Sequence, residues 1–177
     1  MPFLIDVYAL APERSVAIVD RFLDRFMLSR ERADAEYWVT LDGVHPAAVF
    51  YTPMEMVLFC EAHPEAESRA YWNSLSAGDP HSAHAFFLPA GGLVLGLSVA
   101  AKDESVWDQW LGEMLSFVGA KYGYWTGECP PEDTVPDFVA MASTCKAVSA
   151  SPGRRPVTCD SQHSLISLQA YRPSGFY

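Results

Sequence analysis

The sequence lacks a basic run, a Cys-x-x-Cys pair and an unbroken apolar segment of bilayer-spanning length. Each absence removes a class of function. With 12 Lys and Arg against 22 Asp and Glu, the formal net charge is −10. Contact with a phosphate backbone needs Lys and Arg gathered on one face. No aromatic-plus-basic pattern for single strands occurs either, so nucleic acid is not an expected partner. The four cysteines, Cys60, Cys129, Cys145 and Cys159, have neither metal-binding nor redox spacing. The opening MPFLIDVYAL has no basic region and Asp6 interrupts its apolar run, so it does not read as a signal peptide. Free thiols and a cytoplasmic location are the resulting expectations.

No charge occurs between Asp79 and Lys102, a window that contains PAGGLVLGLSVA at residues 89–100. A spanning helix needs about 20 apolar residues, but Pro89, Gly91, Gly92 and Gly96 break this one, and no membrane association is expected. The glycines also approach the phosphate-loop pattern G-x-x-x-x-G-K-[ST], with Gly91, Gly96 and Ser98 in register. Leu97 stands where the lysine must supply its charge, and the segment is strand-like where a helix should begin. A β-hairpin fits better. AHAFFL (83–88) enters, PAGG turns and LVLGLSVA (93–100) returns, with Gly91 or Gly92 at positive φ. The return strand is almost wholly apolar, which predicts that both faces are covered. Gly96 within it predicts a bulge or the close approach of a helix, with the Trp-bearing helix as the candidate.

What is present suits one folded domain. The chain has 177 residues, 50% of them apolar and 13% aromatic, enough for a core without disulfides or metals. FLIDVYAL (3–10) alternates and predicts a strand. Val16, Val19, Phe22, Leu23, Phe26 and Met27 recur at helical spacing and predict a helix over about 13–28. Residues 29–35 read as a charged loop. YWVTL (37–41) and AVFYT (48–52) predict strands around the turn DGVHP. Thr52, Pro53 and Glu55 supply the capping box and first-turn proline of a helix that His63-Pro64 ends. AYWNSL (70–75) reads as a short strand. Trp107, Trp110, Leu111, Met114, Leu115 and Val118 predict a helix between Ser105 and Gly119. A short helix near 136–144 and a strand at SLISLQAYR (164–172) complete the order. Adjacent strands with short turns imply an α+β fold: one domain, a mainly antiparallel or mixed sheet, and two to four helices mostly on one face.

The charge is uneven. Residues 1–144 carry −13 and residues 145–177 carry +3, dividing the chain into an α+β core and a basic Ser-, Pro- and Arg-containing segment. Catalytic signals are sparse. There is no G-x-S-x-G elbow and no H-E-x-x-H. Cys60 shares an apolar helix face with Met56, Val57 and Phe59, where burial is the expectation, and Cys129 stands between Glu128 and Pro130 with no activating cation beside it. DPHSAH places Asp79, His81 and His84 together, the one grouping that suggests a metal-dependent hydrolase, although zinc catalysis needs a third placed ligand and an open position. No cofactor motif is found.

The segment YWTGECPPEDTVPDF (124–138) is the more distinctive. Tyr124, Trp125 and Phe138 bracket Glu128, Glu132, Asp133 and Asp137, with no Lys or Arg and with stiffening prolines. Aromatics beside charges of one sign suit recognition of another protein. The leading expectation is a small acidic binding protein of inhibitor or immunity type, neutralising a basic enzyme. The alternatives are the hydrolase and a small-ligand-binding or self-assembling domain, which a stable homodimer with no other partner would favour.

Overall fold

A computed structural model describes residues 4–78, 80–100, 104–127 and 129–149. Among them the strands are β1 (Leu4–Leu10), β2 (Arg30–Arg32), β3 (Tyr37–Thr40), β4 (Pro46–Phe50), β5 (Ser68–Ser74), β6 (Ser82–Leu88), β7 (Gly92–Ala100) and β8 (Gly123–Thr126). The helices are α1 (Val16–Phe26), α2 (Pro53–Ala62), α3 (Glu104–Val118) and α4 (Val135–Ser149). Six strands form one antiparallel sheet in the order β2-β5-β6-β7-β1-β8, and β3 and β4 form a separate hairpin. Thr40 bridges to Glu67 and joins the hairpin to the start of β5. The chain is thus α+β, as composition and turn spacing predict.

Strand alternation sorts the sheet into two faces. Val7, Ala9, Ala83, Ala85, Phe87, Leu93, Leu95, Leu97 and Val99 face the larger core, together with residues of α1, α2 and α3 and with Tyr37 and Val39 of the hairpin. The opposite face carries Tyr8, Phe86, Leu88, Val94 and Tyr124, and α4 covers part of it with Phe138 and Ala142. Helices therefore lie mostly, but not wholly, on one face. The middle strand β7 is buried along its length except at Ala100, as its apolar run requires.

Local chemistry sets the helix ends. α1 begins later than Pro12 and Glu13 suggest, because Ser15 is the cap and accepts from the Ala17 amide. α2 begins at the expected box: Thr52 Oγ1 accepts from the Glu55 amide and donates to Glu55 Oε2 at 2.8 Å. α4 starts at a second such box that sequence reading missed, with Thr134 Oγ1 donating to Asp137 Oδ2 at 2.6 Å and accepting from the Asp137 amide. It runs across the 144/145 boundary to Ser149. The strand expected at 164–172 lies outside the described residues.

Three features depart from expectation. The charged segment 29–35 contains an edge strand, β2, because Arg30–Arg32 pair with Trp72–Ser74. The YWT stretch, which opens the proline-stiffened acidic segment, forms β8 against β1. The close approach at Gly96 comes from Tyr8 on the neighbouring strand, where the two residues pair, and not from a helix. A Cβ at Gly96 would stand 2.6 Å from the Tyr8 ring. The turn itself is as expected: Gly91 has φ +84, following Ala90 at φ +61.

Arg14, between β1 and α1, draws distant elements together. Its Nη1 donates to the carbonyls of Cys60 (3.1 Å), His63 (3.1 Å) and Ala66 (2.9 Å), at and just beyond the end of α2. Its Nη2 donates to the carbonyls of Leu88 and Gly92, which flank the β6–β7 turn. The group thereby satisfies carbonyls that a helix terminus leaves without partners.

Candidate functional site

The acidic segment 124–138 starts in the edge strand β8 and ends in the first turn of α4, and two of its three aromatic side chains turn inward. Tyr124 is buried, its ring 4.8 Å from that of Phe138, which is fully buried. The Tyr124 hydroxyl accepts from the Glu132 amide at 3.3 Å. Trp125 is half-buried; its Nε1 donates to Asp108 Oδ1 at 3.1 Å, and its ring meets Trp107 edge-on at 4.7 Å. Asp133 and Asp137 are exposed and Glu132 is half-buried. Asp137 also caps α4. Glu128 lies outside the described residues. Tyr124 and Phe138 thus serve packing, and the segment offers solvent Asp133, Asp137 and part of Glu132 and Trp125.

Of the candidate ligands Asp79, His81 and His84, only the two histidines lie among the described residues. His81 is exposed, whereas His84 is inside β6 and buried. No group of three or more metal-ligating side chains occurs among the described residues.

His84 instead joins a buried polar chain. Ser98 Oγ donates to Asp6 Oδ1 at 2.5 Å and lies 3.2 Å from His84 Nε2, which is also 2.9 Å from Ser82 Oγ. Asp6, His84 and Ser98 are all buried. Burial holds His84 down at about pKa 4, so its ring is neutral at pH 7. The order of groups is carboxylate, hydroxyl, imidazole. A nucleophilic serine needs the imidazole between hydroxyl and carboxylate, ready to take the serine proton. Here that proton is committed to Asp6, and Nδ1 has no hydrogen-bond partner. The chain is a polar lock between β1, β6 and β7. Cys60 is unsuited to attack: it is buried, and burial pushes its thiol up to about 12. Cys60, Cys129 and Cys145 are free thiols, and Cys159 lies outside the described residues.

A different region gathers charge of one sign. From Ala33 to Ser68 the sequence has seven carboxylates (Asp34, Glu36, Asp42, Glu55, Glu61, Glu65 and Glu67) and no Lys or Arg. These residues form one structural unit, the β3–β4 hairpin with α2, held by Phe50 packed at 5.3 Å on Phe59. At the hairpin turn, Asp42 Oδ1 accepts from the amides of Val44 (3.0 Å) and His45 (2.8 Å), and Oδ2 lies 3.0 Å from His45 Nδ1. These bonds hold the Asp42 carboxyl well below the usual carboxylate range. The Glu67 carboxylate lies against the same turn, 3.4 Å from where a Gly43 Cβ would stand.

Comparison with protein-family models, curated proteins and solved structures found no match.

The function of this chain must therefore be read from its own surface. Sequence reading singled out 124–138 for its prolines and paired aromatics and passed over 33–68. The signal was available, since a run of 36 residues without a cation is visible in the sequence alone.

Among the described residues no helix is long and apolar enough to cross a membrane. At one end of the sheet a cleft of about 360 Å³ is walled by Leu10, Pro12, Ala90, Gly91, Tyr122 and Val135, and Lys121 is its only charged side chain. A single cation among apolar walls does not define a ligand.

Proposed function

We propose that this chain works by binding a positively charged protein, in the manner of an inhibitor or immunity-type protein that neutralises a basic enzyme, without chemistry of its own. The observation that supports this reading is the acidic excess of the 33–68 unit, seven carboxylates and no Lys or Arg of its own, against which Arg14 and Arg32 are the cations that reach its backbone. Charges of one sign on a surface steer an oppositely charged partner and repel like-charged ones. The exposed Asp133 and Asp137 add to the same sign. Self-association through the 33–68 unit would set carboxylates against carboxylates, which disfavours the homodimer alternative.

The test begins with the immobilised full chain in a lysate of the cells that express it. Retained protein is eluted by salt and identified by mass spectrometry, and the purified partner is then studied by stopped flow. The expected result is one dominant protein of high isoelectric point. Its association rate should fall at least tenfold between about 0.1 M and 1 M sodium chloride, where the screening length shrinks from roughly 10 Å to 3 Å. A partner without excess positive charge, or an association rate indifferent to salt, overturns the reading.

A further inference from the structure

The field of the 33–68 unit attracts a partner but does not say where it seats. We propose that the partner docks on the outward face and tip of the β3–β4 hairpin, with Trp38 as the anchor, and that the partner offers an apolar pocket rimmed by Lys and Arg. This rests on the reading that the partner is a basic protein.

Eight large apolar side chains are exposed among the described residues, and five of them belong to this unit: Trp38, Leu41, Val44, Tyr51 and Leu58. Trp38 is the decisive one. Tyr37 and Val39 on either side are 1% and 0% exposed, so alternation forces Trp38 to face solvent, at 54% exposure, directly opposite Val49 of β4. An outward strand position ordinarily holds a polar residue, since a large aromatic there gains nothing from folding. Tryptophan is among the side chains that most often carry the energy of an interface.

The platform beneath it is already ordered. The Trp38 carbonyl accepts from Ser68 Oγ at 2.8 Å. Arg32 donates to the Tyr51 carbonyl at the far end of β4. The Asp42 bonds fix the turn that projects Val44, which is 72% exposed. A surface fixed before contact loses less entropy when it binds. Apolar side chains at the tip stand beside the Asp42 and Glu67 carboxylates, which call for cations around the complementary pocket.

A random peptide library displayed on phage is selected against the full chain, because selections of this kind concentrate on surfaces already suited to binding. The enriched peptides are synthesised and measured against the wild type, Trp38→Ala, and Asp42→Lys with Glu67→Lys. Circular dichroism and thermal melting check that each variant keeps the fold; Trp38→Phe is the second variant should Trp38→Ala fail that check. The expected peptides combine Lys or Arg with apolar residues. They should bind Trp38→Ala at least thirtyfold more weakly, Trp38→Phe at an intermediate level, and the charge-reversed protein at least tenfold more weakly. Basic peptides that bind both Trp38 variants like the wild type overturn the docking face and leave the basic-partner reading standing. Acidic peptides, or none, overturn both.

Discussion

His84 shows how little a side chain's chemistry says about its role until its neighbours are known. In sequence it belongs to DPHSAH and resembles a loop ligand. In the fold it pairs across the sheet with Tyr71 and Gly96, among aromatic rings, and stays neutral. That burial has a pH signature. The imidazole titrates at 6.5 when exposed and at about 4 in the fold, so the unfolded chain binds the extra proton first. Stability is then complete above pH 6.5, falls as pH drops from 6.5 to about 4, and levels off below. The full loss from this group approaches about 3 kcal/mol. Urea unfolding of the wild type and of His84→Gln across this range isolates the effect from the carboxylates, which both proteins share. Equal pH slopes for the two would show that His84 is not neutral and buried. Gly96 makes the same point in reverse: a glycine in an apolar strand signals close approach, but only the pairing shows that Tyr8 approaches.

At the scale of elements, legibility followed hydrophobic period. α1 and α3 were readable because their apolar stripes recur at helical spacing over many residues, and α2 because Thr52, Pro53 and Glu55 mark its start. β2 and β8 were not, for a physical reason. Arg30–Arg32 and Gly123–Thr126 are short edge segments whose extended form comes from the strand beside them rather than from their own residues. Arg14 was missed as well, because its five carbonyl partners lie 46 to 78 residues away. Its loss should be costly. Arg14→Ala leaves the end of α2 and the β6–β7 turn without their shared donor, and we expect about 3 kcal/mol of destabilisation in urea unfolding. Arg14→Lys should recover little of it, because one ammonium cannot span two groups of carbonyls. A loss under 1 kcal/mol for the alanine variant would mean that water replaces the guanidinium without penalty.

Across the whole molecule, charge of one sign has a cost in stability. Only two ion pairs between Arg and carboxylates occur among the described residues, Arg25 with Glu113 and Arg30 with Asp24, against a formal charge of −10. The folded chain repels itself, and screening should relieve the strain. Raising sodium chloride from about 10 mM to 200 mM should lift the melting temperature by roughly 2–4 °C, the equivalent of about 1 kcal/mol at this size. A flat or falling melting temperature would mean that these pairs matter more than the net repulsion. The α+β class could be read from the sequence at this scale, and the acidic 33–68 run was there to be counted. The exposure of Trp38 was not, because YWVT alternates equally well with either face turned inward.

The sheet order has a consequence for how the chain is made. β1 is synthesised first, yet it lies between β7 and β8. When the ribosome has released the chain as far as Gly91, it has finished six strands and two helices, and β1 still has neither neighbour. Its apolar side chains and open backbone edges must wait for residues 92–126, a hazard that invites wrong pairings with other nascent chains. Pairing on both sides of β1 is therefore a long-range event and a slow one.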